Sequence, residues 1–267
     1  KICYMSKEFK CTNNKVAFRI DDIGASSKRY EVYSKKPFGN LLFLKYLSFY
    51  KAWGTYREMS VEEWKEVYNL LRSFAAKLTV GVTAGWVERN GTITIFPEKF
   101  SKVAKVLKDG LNEGLLEIAN HGLTHCVVGK HLPRLFSSNR QYHREFLKLL
   151  PREIHFDHLE QSQKILQDYF GTRITTLIPP GNVFTNDTVE AAYSYGIKRI
   201  NYANRKNSFL RENIKIINGQ VTYNKNIPLE NVIRFHDREI VMGGVDWLKR
   251  KLEAIPADTE FVFVKNL

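Results

Sequence analysis

Two histidines stand four residues apart in IANHGLTHC, at positions 121 and 125, behind a short apolar run. Two imidazoles plus one carboxylate from elsewhere make a three-ligand set that leaves places on a divalent ion for water and substrate, as catalytic zinc sites do. The spacing alone is weak, because such pairs also occur on ordinary surfaces. Its companion is FRIDDIG, where Asp21 and Asp22 follow another apolar run. Adjacent carboxylates repel unless a cation or hydrogen bonds lie between them. One could face a metal while the other, held off it, accepts a proton from an attacking water. DDIG is also good turn chemistry, so a strand-end turn explains the same residues.

A second proton-transfer group stands in VIRFHD, where His236 titrates near neutrality. Together with a carboxylate base and a metal it would hydrolyse an amide or an ester. A structural histidine paired with Asp237 is the plain alternative. In IPPGN, two prolines stiffen the backbone and a glycine permits close approach. Pro180, Gly181 and Asn182 could contact substrate or donate N–H groups to a developing oxyanion; a simple tight turn serves equally.

These residues need a frame that brings them together. KVAFRI (15–20) reads as a buried strand, and 60–77 as a helix with a Ser60/Glu63 capping box. LTVGVTAGWV reads as a strand, PEKFSKVAKVLKDG as a helix with glycine past its end, and GLLEIAN as a strand running into the histidines. Residues 126–153 read as a polar loop. HLEQSQKILQDYFG and NDTVEAAYSYG are predicted helices, and ITTLIPPG, IKRINYA and NVIRFHD strands, the last two separated by an irregular stretch. VDWLKRKLEAI and TEFVFVKN close the chain as helix and strand. Strand–helix alternation with about seven strands predicts an α/β barrel of parallel strands, whose sites gather at the C-terminal strand ends. No repeat or linker divides the 267 residues, so a single domain is expected.

At 43% hydrophobic and 13% aromatic, the chain can bury a large core, which excludes disorder. No run approaches the roughly 18 apolar residues of a membrane span. The start, KICYMSKEFK, lacks the apolar core of a secretory leader. Cys3, Cys11 and Cys126 are sparse and odd in number, with Cys3–Cys11 the one local pair, so a reducing, cytoplasmic location is expected. The net charge of +13 is spread through clusters such as SSKRYEVYSKK and KRINYANRK. It carries no nucleic-acid-binding signature, so no nucleic-acid partner is expected. His131, His143, His155 and His158 read as surface or loop residues.

In order and spacing, FRIDDIG, NHGLTH, LIPPGN and VIRFHD resemble the motifs of the polysaccharide deacetylases, carbohydrate esterase family 4. The resemblance implies a distorted (β/α) barrel. It implies Asp22, His121 and His125 as ligands of one divalent metal, usually zinc in that family, with Asp21 as base and His236 as acid. The implied activity is removal of an N-acetyl group from an acetamido sugar. The positive charge suits a phosphate- or carboxylate-bearing substrate, such as a nucleotide-linked or lipopolysaccharide precursor.

Three departures stand out. The family arginine before the proline turn is Ile178 here, and Arg19 or Arg234 could stand in. No Asp-Trp element is visible to orient the acid histidine, so Asp237 or Asp246 could serve. Residues 25–58 form an aromatic and basic insert that could be a lid, an oligomer contact or extra cover. Two other readings stay open: a cyclic-amide (ureide-type) amidohydrolase of the same superfamily, and a sugar-binding relative whose chemistry was lost with the arginine.

Overall fold

A computed structural model of the chain describes residues 15–26, 28–32, 52–130, 143–203, 211–217, 220–223 and 231–267. Cys3, Cys11, His131 and most of the 25–58 insert lie outside the described residues. Strand β1 (Lys15–Ile23) is buried along nearly its whole length, as expected of a parallel strand covered on both faces. Within the insert, β2 (Arg29–Val32) and β3 (Ala52–Thr55) pair antiparallel. Helix α1 (Val61–Ser73) opens with the predicted capping box: the Glu63 N–H donates to Ser60 Oγ, and the Ser60 N–H to the Glu63 carboxylate.

The expected strand over 78–87 is divided. β4 (Leu78–Val82) stays in the main sheet, while β5 (Gly85–Val87) turns away to pair with β6 (Ile93–Ile95). The next expected helix breaks at Phe100, leaving α2 (Phe96–Lys99) and α3 (Ser101–Asn112). Gly110 does not end it. It lies inside α3, where a Cβ would come within 2.5 Å of the Tyr68 hydroxyl on α1; that glycine sets how closely the helices pack.

After β7 (Leu116–Asn120), helix α4 (Arg152–Phe170) starts directly behind Pro151, about two turns before the predicted onset. His155 and His158 therefore lie on a packed helix and are buried, contrary to the surface reading. β8 (Thr176–Leu177), α5 (Asn186–Ser194) and β9 (Arg199–Ala203) follow. The stretch expected to be irregular holds the antiparallel strands β10 (Arg211–Ile217) and β11 (Gln220–Tyr223). β12 (Val232–His236), α6 (Asp237–Gly243), α7 (Asp246–Glu253) and β13 (Glu260–Phe261) complete the chain.

The main sheet runs β11-β10-β9-β8-β7-β4-β1-β12. Six of these strands, β9 through β12 along that order, are mutually parallel, and β13 lies parallel beside β1 as a seventh. Its order starts at β11 and ends at β12, so the described strands form an open half-barrel, the distorted α/β barrel that was predicted. Even-numbered β1 residues such as Phe18 and Ile20 join the core against Trp64, Leu71 and Leu107. Odd-numbered ones, Arg19 and Asp21, face the barrel interior, as strand alternation requires. Registers Asp21↔His236 and Val82↔Asn120 align the C-terminal strand ends on one rim. Among the described residues, no helix is long and apolar enough to cross a membrane.

At the opposite end of the interior, the buried Glu117 carboxyl accepts from the hydroxyls of Thr79 and Thr176, each at 2.6 Å, and from the Lys265 N–H at 3.2 Å. Burial pushes its pKa above the ordinary 4.5, and these donors only partly offset that. A raised carboxyl pKa gives stability that is complete below the unfolded value and fades as pH rises through the folded one. Glu117→Gln should hold stability within about 1 kcal/mol and flatten the pH dependence of Tm on the acid side. Glu117→Leu, which removes the acceptor of both hydroxyls and of the Lys265 N–H, should cost about 1–3 kcal/mol. Urea and thermal unfolding between pH 4 and 7 check both.

Candidate active site

A fault in β1 creates the site. Ile20 pairs with Val80 and Ile23 with Val82, so β1 fits one extra residue into the interval, the signature of a β-bulge, which re-aims a side chain. Asp22 sits in this bulge with φ +70°, in the left-handed region. Regular alternation would turn Asp22 away from Asp21. Through the bulge both carboxylates line the same cavity. The Asp22 carbonyl is held by the Ala25 N–H at 3.1 Å and by the Lys28 ammonium. Lys28 in turn is buried against Asp237 and, at 3.0 Å, Glu58.

Facing the bulge is the loop after β7. His121 Nε2 lies 3.2 Å and His125 Nε2 3.1 Å from Asp22 Oδ1, and one ligand atom from each of the three residues falls within 4.8 Å of the others. The Ile178 carbonyl accepts from His121 Nδ1 at 2.6 Å, which places the proton on that nitrogen and turns the Nε2 lone pair toward Asp22. His125 is 3% exposed, and beyond the 3.1 Å approach of its Nε2 to Asp22 its ring nitrogens make no hydrogen bond. A buried imidazole so sparsely satisfied is costly. A cation between it, His121 and Asp22 would satisfy it, so these residues fit a divalent metal. Burial pushes the Asp22 carboxyl up, but His236, His125 and His121 outweigh it and hold it well below the usual carboxylate range.

Asp21 meets a different partner. Arg19, two residues back on the same face, donates Nε to Oδ1 at 2.8 Å and Nη2 to Oδ2 at 2.6 Å, and its Nη1 reaches the Asn201 carbonyl on β9 at 2.9 Å. Burial raises the Asp21 pKa, and Arg19, His121, Arg234 and His236 more than reverse this. The two candidate arginines thus differ. Arg19 makes the forked pair with Asp21, while Arg234, its register partner on β12, lines the cavity with a buried Nε that has no partner. The Ile178 side chain is fully buried, and its backbone orients His121.

His236 ends β12 opposite Asp21, and Glu239 lies 3.5 Å from its Nδ1. Burial lowers the His236 pKa, but Asp22, Glu239 and Asp21 carry it above the ordinary imidazole value. Neither aspartate expected beside His236 fills that place: Asp237 is buried against Lys28, and Asp246 is exposed at the start of α7. In the proline turn, Gly181 and Asn182 line the cavity with Pro179, whereas Pro180 is buried beneath the histidine loop. The Asn182 N–H donates to the Pro179 carbonyl at 2.9 Å, so the turn itself uses that donor.

Sequence reading missed the segment 143–145. His143 and Arg144 line the cavity, and the His143 ring stands 6.0 Å from that of His125. Tyr56 and Lys28 come from the ends of the insert. Nothing periodic marks HREF in the sequence, and Lys28 lies in a basic run. The cavity measures about 290 Å³ and carries Arg144, Arg234 and Arg238 around the Asp22–His121–His125 cluster. Buried Cys126 is a free thiol.

The arginine assignment is testable by stability. Arg19→Met leaves the buried Asp21 charge without its partner and should cost about 3–5 kcal/mol. Arg234→Met strands no carboxylate and should cost less than about 1 kcal/mol. Urea denaturation of both variants decides, and equal losses would show that Arg19 has no special hold on Asp21.

No curated protein matches this chain in sequence. Several solved structures are similar to this chain at low identity, with TM-scores below 0.5. A carbohydrate esterase family 4 pseudoenzyme from Bacillus anthracis is 12% identical over 91% of this chain and 61% of its own, with a TM-score of 0.48; the present chain thus spans less than two thirds of it. A family 4 acetyl xylan esterase from Clostridium thermocellum, in complex with cobalt, is 12% identical over 94% and 88%, with a TM-score of 0.44. A peptidoglycan N-acetylglucosamine deacetylase is 14% identical over 96% and 88%, with a TM-score of 0.48. The sequence profile of polysaccharide deacetylases matches residues 46–200, more than half the chain and the part that carries both histidines and the proline turn. The chain belongs to the polysaccharide deacetylase family.

Proposed function

We propose that this protein is a divalent-metal-dependent hydrolase, with zinc as its ion, that removes the acetyl group from an N-acetylated sugar bearing an acidic group. The observation that carries this reading is the convergence of Asp22, His121 and His125 on one point, with Asp21 and His236 beside it. Asp22 and the Nε2 atoms of both histidines would hold the ion. When bound, it would supply Lewis-acid chemistry, lowering the pKa of water and polarising the acyl carbonyl.

The chain's own groups divide the proton traffic. Asp21, fixed by Arg19, accepts the proton of the attacking water. His236, with Glu239 3.5 Å from its Nδ1, delivers its proton to the leaving amine. Glu239 stabilises that imidazolium. Arg19 supplies beside Asp21 the cation that Ile178 does not, which supports an active enzyme over an impaired one.

The lining speaks for an acidic substrate. Arg144, Arg234 and Arg238 face the cavity, Arg238 being shared with Glu239 at 2.8 Å. A phosphate or carboxylate on the sugar would find charge-assisted donors there. The modest volume suits one acylated ring, such as a nucleotide-linked or lipopolysaccharide precursor, more than a long stretch of polymer.

Two measurements test these assignments. His236→Gln should lower kcat by roughly 10²- to 10⁴-fold while zinc binding stays within threefold. The alkaline fall of the wild-type kcat profile, set by loss of the His236 proton, should vanish in the variant. In acetate-release assays, UDP-linked and uronic N-acetyl sugars should exceed neutral ones at least tenfold in kcat/KM, and Arg144→Ala should narrow the gap mainly through KM. Faster turnover of a neutral polymer would remove the acidic-substrate reading, and no acetate from any of them would remove the hydrolase.

A further inference from the structure

The carboxylate of Glu145 is completely buried, and no step assigned above uses it. It accepts the backbone N–H groups of Leu123 at 2.9 Å, Thr124 at 3.2 Å and His125 at 2.9 Å. Among the described residues it also meets His158 Nδ1 on α4, at 2.7 Å. Three consecutive N–H groups aimed at one anion form a nest, and here the anion is a side chain 20 residues further along the chain than His125.

The loop it closes is the one that separates the two histidines. Gly122 and His125 both sit in the left-handed region, at φ +80° and +60°. For His125 that backbone is costly unless its surroundings hold it. A Cβ on Gly122 would come within 2.0 Å of Glu145 Oε2, so loop and carboxylate fit only with glycine between them. His121 has its own restraint in the Ile178 carbonyl, and Asn120 receives the Gly122 N–H at 2.8 Å. Apart from the 3.1 Å approach of its Nε2 to Asp22 Oδ1, the His125 ring makes no hydrogen bond. From its own side the ring is aimed by its backbone, and Glu145 holds that backbone.

We infer that Glu145 is the positioning residue of the proposed metal site: it clamps the 123–125 backbone so that His125 is pointed at the ion before the ion arrives. His158 lies on the far side of the carboxylate and anchors the clamp to α4. The inference rests on the metal reading above, and the test separates the two.

Zinc is titrated into metal-free wild type, Glu145→Gln and Glu145→Asp against a chromophoric chelator, with amide hydrogen exchange followed on the same metal-free samples. Loss of an outer partner of a metal ligand typically weakens affinity 10- to 100-fold. Glu145→Gln should do so, and should speed exchange at Leu123, Thr124 and His125 while the amides of β1 and β4 keep their protection. Glu145→Asp, shorter by one methylene, should weaken zinc in the same direction. Zinc affinity within twofold of wild type in whichever variant folds would overturn the clamp, as would global unfolding of both, since Glu145 would then be a general stability residue. If the wild type itself binds no zinc while Leu123–His125 are protected through Glu145, the metal reading fails and the loop contact alone survives.

Discussion

One extra residue in a buried strand governs this molecule. A regular β1 would send Asp21 and Asp22 to opposite faces. The bulge between Ile20 and Ile23, with Asp22 at positive φ, brings both carboxylates to one cavity while leaving each its own partner. Asp21 keeps its place in the alternation and meets Arg19. Asp22 leaves it and meets the histidines. Two adjacent carboxylates can both stay ionised because opposing charge surrounds them, Arg19 beside Asp21, His125 beside Asp22, and His121 and His236 acting on both. The division of labour proposed for them, base and ligand, therefore rests on the backbone geometry of the bulge.

Buried ionic tethers hold that backbone. Lys28 grips the Asp22 carbonyl and is neutralised by Asp237 and Glu58; Glu145 gathers the amides before and at His125; Arg19 ties β1 to β9 through Asn201. Each is costly to desolvate and contributes little net stability for that reason. Their common feature is location: all three surround the cluster of Asp22, His121 and His125, and each restrains one wall of it. A preorganised ligand set spends no binding energy on ordering itself when a cation enters.

Much of this was legible in the sequence, and the reasons are specific. Asp22, His121 and His125 could be grouped because strands ending in polar residues share a rim in any parallel α/β sheet, so position along the chain translates into position in space. Helix α1 was legible from local capping chemistry. The contributions of Lys28, His143 and Glu145 were not, because each is a single residue without periodic neighbours, brought in by a connection. His155 and His158 were misread because the first turns of α4 place imidazoles where apolar residues usually mark the buried face. The β10–β11 pair was passed over although Asn218-Gly219 between two β-type runs is a strong hairpin signal. Assigning an orienting role to Asp237 failed for a similar reason: adjacency along a strand end says little about which way a side chain points.

The claim beneath all of this is that Asp22, His121 and His125 close around a single cation. The direct measurement is an anomalous difference map from zinc-soaked crystals, recorded on both sides of the zinc absorption edge. One peak about 2.0–2.2 Å from an Asp22 carboxylate oxygen and from Nε2 of both histidines is the expected result. A well-ordered site with these three side chains hydrogen-bonded only to one another, and no peak between them at saturating zinc, would contradict it.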